Sequence, residues 1–168
     1  MDMPAWALAL TYWLHMLATV LWLGSLALLS LIVIPAMRRS LDAPVQLKLM
    51  AALQKKLDPL GWFSAALLLA TGMFQMSANP NYEGFLAIRG QWASSILIKH
   101  IFFLGMIAVS AAQTWWLLPS IQRAMLRQQK SGDMTEVEAL QKREALLLKL
   151  NLILAILILG LTALARTA

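Results

Sequence analysis

Histidine is the residue type in this sequence best suited to metal chemistry, and there are only two, His15 and His100. Each lies in a long apolar stretch, where an ionisable side chain is costly and therefore indicates a function. Arg38 follows His15 by 23 residues, and Arg123 follows His100 by 23 residues. If both stretches are helices that run in the same direction, the two imidazoles lie at nearly the same height. Two imidazoles at one depth suit the two axial positions of a b-type haem.

Several residues near the histidines have the properties that a haem pocket needs. Thr19 and Trp22 lie on the turns after His15, and Trp22 is the deepest of the tryptophans. Lys99 and Arg89 are the cations near the start of the third apolar stretch, so we expect them to neutralise the haem propionates. The alternative is that each histidine only forms a hydrogen bond with a neighbouring helix.

Methionine is the second residue type with relevant chemistry, and the chain has ten. Thioethers are soft ligands for Cu(I). Met1, Met3, Met73 and Met76 are predicted on the same side of the membrane as the histidines, so together they suggest a stepwise path for copper. Copper is therefore the alternative to haem b. Methionine is also a common filler of apolar cores, which is the simpler interpretation of most of the ten.

Four apolar stretches must position these residues. The chain has 168 residues, of which 60% are hydrophobic and 13% are charged, so it differs from a soluble domain. About 20 apolar residues span a bilayer. The spans are predicted at about residues 5–34, 60–76, 94–118 and 146–165. The short connections predict an all-α fold, a single integral membrane domain built as an up-down-up-down four-helix bundle.

The basic residues predict a direction for this bundle. The net charge is +6, and most of the basic residues lie in the loops after the first and third spans. The positive-inside rule places both basic loops in the cytoplasm and both termini outside, in a bacterial-type inner membrane. Basic side chains there contact lipid headgroups, so no nucleic acid is expected as a partner. Residues 42–57 fit a short interfacial helix, an extension of the second span or a solvated loop.

Local signals predict where the helices begin and end. Pro35, Pro59 and Pro119 are expected at span ends, where a missing N–H does least harm. The pattern from Thr135 to Glu138 fits a capping box that starts the last helix. The third and fourth helices then extend beyond the membrane as a hairpin, and a solvated charged loop is the alternative.

Several kinds of chemistry are excluded by composition. The chain has no cysteine, so it holds no disulfide, iron–sulfur cluster, covalent haem or thiolate zinc site. The predicted spans contain no acidic residue, so we expect no pair of carboxylates and no hydrolysis. Whether the protein is an enzyme stays open, with a membrane oxidoreductase as the class considered.

The first span carries a family resemblance. Its segment His15-x6-Trp22-x-Gly24, followed by Pro35 and Arg38, resembles the first conserved helix of the CopD-like membrane proteins, which are named for copper resistance. It is also similar, more distantly, to the HemJ-type protoporphyrinogen oxidases, which are four-helix haem proteins. The resemblance implies a four-helix membrane bundle with histidine-ligated haem or with copper handling.

A later helix resembles the same group through Lys99-His100 and the segment that ends with Trp115, Trp116 and Pro119. The stretch 26–34 is aliphatic apart from one serine, whereas the HemJ-type pattern has aromatic and basic residues there. That departure argues against porphyrinogen oxidation.

The leading functional hypothesis is a haem b protein with bis-histidine ligation that transfers electrons near the outer leaflet, with quinol or an outer-side redox protein as partner. The alternatives are a copper transport or resistance protein, a HemJ-like porphyrinogen oxidase and an accessory subunit of a larger membrane complex. A homo-oligomer is compatible with each of them.

Overall fold

The computed structural model describes residues 4–84, 86 and 89–167, apart from the side chains of residues 43 and 129–131. All regular secondary structure in these residues is helical. The first span consists of α1 (Ala5–Ala27), the π-helical segment π1 (Leu28–Val33) and α2 (Ile34–Ser40). The second span is α3 (Ala43–Ser77). The third span consists of α4 (Gly90–Ala112), the π-helical segment π2 (Gln113–Leu117) and α5 (Leu118–Ser131), and the fourth is α6 (Thr135–Arg166). The four spans are long and apolar enough to cross a membrane, which confirms the all-α, four-helix prediction.

The helices are longer than the predicted spans at the end that carries the basic loops. Helix α3 has 35 residues and α6 has 32. Residues 43–57 continue α3 without a break, so the extension of the second span is confirmed, and the separate interfacial helix and the solvated loop are both wrong. Leu47 and Met50 are buried there while Lys48 is exposed, because only one side of this extension packs against the rest of the bundle.

None of the three prolines ends a helix, contrary to the prediction. Pro59 lies inside α3, while Pro35 and Pro119 lie at the first positions of α2 and α5, which continue directly from π1 and π2. A proline cannot donate a backbone hydrogen bond, and its ring crowds the carbonyl four residues earlier. The wider π turns before Pro35 and Pro119 accommodate this misfit, so both spans continue.

The start of α6 differs from the predicted capping box. The N-cap residue is Met134, and it makes no side-chain capping bond. The Asp133 carboxylate instead accepts hydrogen bonds from the backbone N–H and the hydroxyl of Thr135, at 2.9 and 2.7 Å. These two bonds favour the charged carboxylate and hold the pKa of Asp133 below its ordinary value.

The third and fourth spans do extend into a helical hairpin, as predicted. Gly132 turns the chain with a φ of +75°, a left-handed conformation that suits glycine. Arg127 donates to Glu136 across the hairpin at 2.8 Å. A small apolar cluster holds this end of the bundle together: Leu47, Ile121, Ala124 and Val137.

The main core lies in the middle of the bundle and draws on all four spans. Its buried members are Trp22, Leu26, Leu29, Ala65, Met106, Leu148 and Ala155. Helix α1 packs mainly on α3 and α4 packs mainly on α6, while α1 also contacts α6. Most other large apolar side chains are exposed on the outside of the bundle, as expected for helices surrounded by lipid.

Candidate functional site

A cavity of about 670 Å³ lies on one side of the main core, near the N-terminal ends of α1 and α4 and the C-terminal ends of α3 and α6. We name it the histidine cavity, because His15 and His100 both line it. The sequence spacing predicted that the two histidines lie at one depth, and in the structure both line the same cavity. The ligand role assigned to the two histidines stays a prediction.

The second span fixes the ring of His15. Its Nδ1 lies 2.7 Å from the Thr71 hydroxyl, which donates its own hydrogen to the Leu67 carbonyl at 2.6 Å. The hydroxyl must then accept from Nδ1–H, which leaves the lone pair of the neutral ring on Nε2. Gly72 provides room for the ring, because a Cβ there would lie 3.4 Å from His15 Cε1.

His100 has the same tautomer through a different partner. Its Nδ1 lies 2.7 Å from the Ile96 carbonyl oxygen, one turn earlier in α4. A carbonyl only accepts, so Nδ1–H donates and the lone pair of the neutral ring lies on Nε2. Histidines that bind metals commonly donate their other ring N–H to a carbonyl or another acceptor in this way.

The other predicted cofactor residues divide into two groups. Thr19, Trp22 and Lys99 line the histidine cavity, and Trp22 meets Phe103 edge to face with ring centres 5.5 Å apart. Arg89 is exposed at the N-cap of α4 and is not among the residues that line the cavity, and its role beside a cofactor stays a prediction. Arg166, at the end of α6, lines the cavity instead, and sequence reasoning missed it.

Met76 of the predicted copper path and Met16 beside His15 are among the thioethers that line the histidine cavity. Met16, Met76 and Met106 line the histidine cavity, whereas Met73 is 40% exposed on the outside of α3 and does not. Met1 and Met3 lie outside the described residues. Within the described part of the chain, no three His, Asp or Glu side chains are grouped to hold a metal ion, so a metal in this cavity would depend on imidazoles and thioethers.

A second cavity, of about 90 Å³, lies on the other side of the main core. We name it the polar cavity. Asp58 and Glu144 both line it, so the expectation that no pair of carboxylates exists is wrong. Its other polar lining residues are Ser25, Gln54, Ser110, Gln113 and Thr114.

Both carboxylates were missed because the predicted spans began just after them. The sequence did contain a signal: Asp58 and Glu144 are 86 residues apart, and the two histidines are 85 apart. The acids therefore occupy equivalent places in the second and fourth spans. Gln54 donates to Glu144, and the Thr114 hydroxyl lies 3.5 Å from Asp58 Oδ2.

Comparison with known proteins gives one family. A family model described as copper resistance protein D matches residues 51–165. The matched region contains His100 and both carboxylates of the polar cavity, while His15 precedes it. No curated protein and no solved structure gives a significant match.

Proposed function

The chain belongs to the copper resistance protein D (CopD) family, since the family model covers more than half of it, and from this premise we propose that this integral membrane protein binds copper as cargo in the histidine cavity. One observation supports the proposal above the others. The imidazoles of His15 and His100 share a cavity with the thioethers of Met16, Met76 and Met106. Imidazole binds copper readily, and thioether favours Cu(I). The family match supports this alternative better than haem b.

Two features of the cavity suit passage of an ion better than storage. Lys99 and Arg166 line the same space and repel a bound cation, which weakens binding. Met16 is exposed on the outside of α1, so the cavity also opens toward the surroundings of the bundle. A conducting site must bind its ion weakly enough to release it.

The test is a Cu(I) titration of the purified full chain in detergent, against a chromophoric chelator. We expect His15→Gln, His100→Gln and Met76→Leu each to weaken Cu(I) binding by about tenfold or more, because even loss of an outer partner of a metal ligand costs about 10–100-fold. Met73→Leu is the matched control, since Met73 lies three residues from Met76 on the same helix and outside the cavity. Wild-type affinity in both histidine variants and in Met76→Leu would refute the proposal.

The size and lining of the same cavity favour haem b as a second candidate. The cavity combines His15 and His100 from the first and third spans, the flat ring of Trp22, and two cations, Lys99 and Arg166, that suit propionates. Bis-histidine ligation of haem suits electron transfer, with quinol or an outer-side redox protein as partner. An absorption spectrum decides the matter. A Soret band that is lost in His15→Ala and in His100→Ala supports haem, and colourless protein from haem-supplied cells rejects it.

The direction of the bundle is also a proposal. We propose that the basic loops lie in the cytoplasm of a bacterial-type inner membrane, as the charge distribution predicts. The absence of native cysteine allows a clean labelling test. A membrane-impermeant thiol reagent applied to intact cells should label Asn81→Cys and leave Glu138→Cys unlabelled. The reverse pattern would invert the direction.

A further inference from the structure

The polar cavity differs from the histidine cavity in the chemistry of its donors. Glu144 is only 6% exposed, and the Gln54 side chain donates to its Oε1. Asp58 lines the same space from α3. Carboxylate, amide and hydroxyl oxygens are hard donors, which suit protons and alkali or alkaline-earth cations rather than Cu(I).

Asn151 provides an independent observation next to this cavity, although it is not itself among the lining residues. It is fully buried, and its Nδ2 donates to Ser110 Oγ at 3.0 Å and to Gln113 Oε1 at 3.4 Å, both from side chains that line the polar cavity. Asn151 follows Glu144 by two helical turns, so the two side chains lie on the same face of α6. Leu148, between them on that face, also lines the cavity. Its Oδ1 has no hydrogen-bond partner. A buried acceptor without a donor points to a missing positive or proton-donating group.

The charges around the cavity leave room for one positive charge. Neither Asp58 nor Glu144 forms an ion pair within 4.0 Å with a lysine or arginine in the described part of the chain. Arg38, at the exposed end of α2, is the cation that acts electrostatically on Glu144, and Asp58 is the anion that does so. Two ionised carboxylates that share a cavity repel each other, and one bound cation would relieve this repulsion.

The chain repeats itself around this site. Ser25 and Ser110 are 85 residues apart, as the histidines are, and both line the polar cavity. Each pair of spans thus contributes one acidic side chain and one serine, and the second pair also contributes Thr114. Transport proteins commonly place ion sites where two such repeats meet.

We propose that the polar cavity binds one exchangeable monovalent cation, a proton or Na⁺, between Asp58 and Glu144. A proton would bond to one oxygen of either carboxylate, whereas Na⁺ would be held by carboxylate, amide and hydroxyl oxygens. This site is separate from the copper site, and it does not depend on copper binding in the histidine cavity.

The experiment uses the purified full chain, free of copper, and infrared difference spectroscopy of its carboxyl groups. One arm compares acidic with alkaline buffer, and the other compares Na⁺ with choline at constant pH and ionic strength. Exposed acids give carboxyl bands in the pH arm of every variant, so we expect in one arm a further band that belongs to the cavity and identifies the cation. Glu144→Gln and Asp58→Asn should lose this signal, and both retain the side-chain shape. Glu138→Gln is the matched control, because Glu138 lies exposed on the same helix.

Each outcome decides for or against the site. A signal lost in Glu144→Gln and in Asp58→Asn and kept in Glu138→Gln supports it. If neither arm gives this band, or if Glu144→Gln gives the wild-type signal, the proposal is overturned.

A thermal melt followed by tryptophan fluorescence provides a second readout, since a ligand that binds only the folded state raises the melting temperature. Added Na⁺ should raise it in the wild type but not in Glu144→Gln if the cation is Na⁺. Copper affinity is measured separately, so failure here leaves the proposed function standing.

Discussion

Replacing Thr71 with valine tests whether the second span orients His15 for metal binding. Valine has nearly the same volume but removes the oxygen that lies 2.7 Å from His15 Nδ1. Hydrogen bonds between membrane helices contribute about 0.6 kcal/mol on average and up to about 1.7 kcal/mol, so we expect the folded protein to lose only that much stability. The larger effect concerns the metal. Loss of an outer partner weakens metal binding by about 10–100-fold, which corresponds to about 1.4–2.8 kcal/mol.

The assay is the chelator competition with Cu(I), with Thr71→Ser as the control because serine keeps the hydroxyl. Thr71→Val should bind Cu(I) more weakly than Thr71→Ser by at least about tenfold, while circular dichroism shows the same helix content for both. Equal affinity in Thr71→Val and Thr71→Ser would refute the reasoning, because the hydroxyl would then have no part in presenting His15 Nε2.

Three further predictions concern packing and capping. Gly72→Ala should bind Cu(I) like the wild type, since its Cβ would lie at the ordinary contact distance of 3.4 Å from His15 Cε1, whereas the larger Gly72→Val should displace the ring and weaken binding. Val137→Ala removes two fully buried methyl groups and should lower the free energy of unfolding by about 1.6 kcal/mol before any cavity term, as measured by denaturation in detergent. The hydrogen bonds from Thr135 lower the pKa of Asp133 in the folded state. These two bonds are therefore present above the ordinary pKa of aspartate and are lost as the pH falls through the lowered value. Amide exchange at Thr135, corrected for its intrinsic rate, should therefore lose protection in acid, and Asp133→Asn should abolish this pH dependence.

The fold was predictable because apolar length and residue spacing translate directly into membrane helices. The equal distances from each histidine to the next arginine predicted a shared depth, since the rise per residue of a helix is nearly constant, and both histidines line one cavity. The face that each side chain presents was harder to predict. Met73 and Met76 are three residues apart, and only the packing of α3 against its neighbours decides that Met76 lines the cavity.

The polar cavity was missed for a different reason. Pro59 was interpreted as the end of a span, which left Asp58 in a loop, and Glu144 was assigned to the loop before the fourth span. The structure continues both helices through these positions. In α3, neighbouring segments of the bundle can compensate for Pro59, which a single helix tolerates poorly. Thr71, the partner of His15, was missed because a threonine in an apolar span commonly bonds its own helix, as Thr71 also does to Leu67.

Trp22 connects the two cavities, since it lines both and belongs to the main core between them. Met106 and Leu26 are packed in the same core and are almost completely buried. A copper ion in the histidine cavity would therefore be separated from the oxygen donors near Glu144 by close-packed side chains. If copper crosses the bundle, these core side chains must move. The π segment of the first span contributes Leu29 to this core, so the backbone departs from regular α-helix at a place where such movement would be needed.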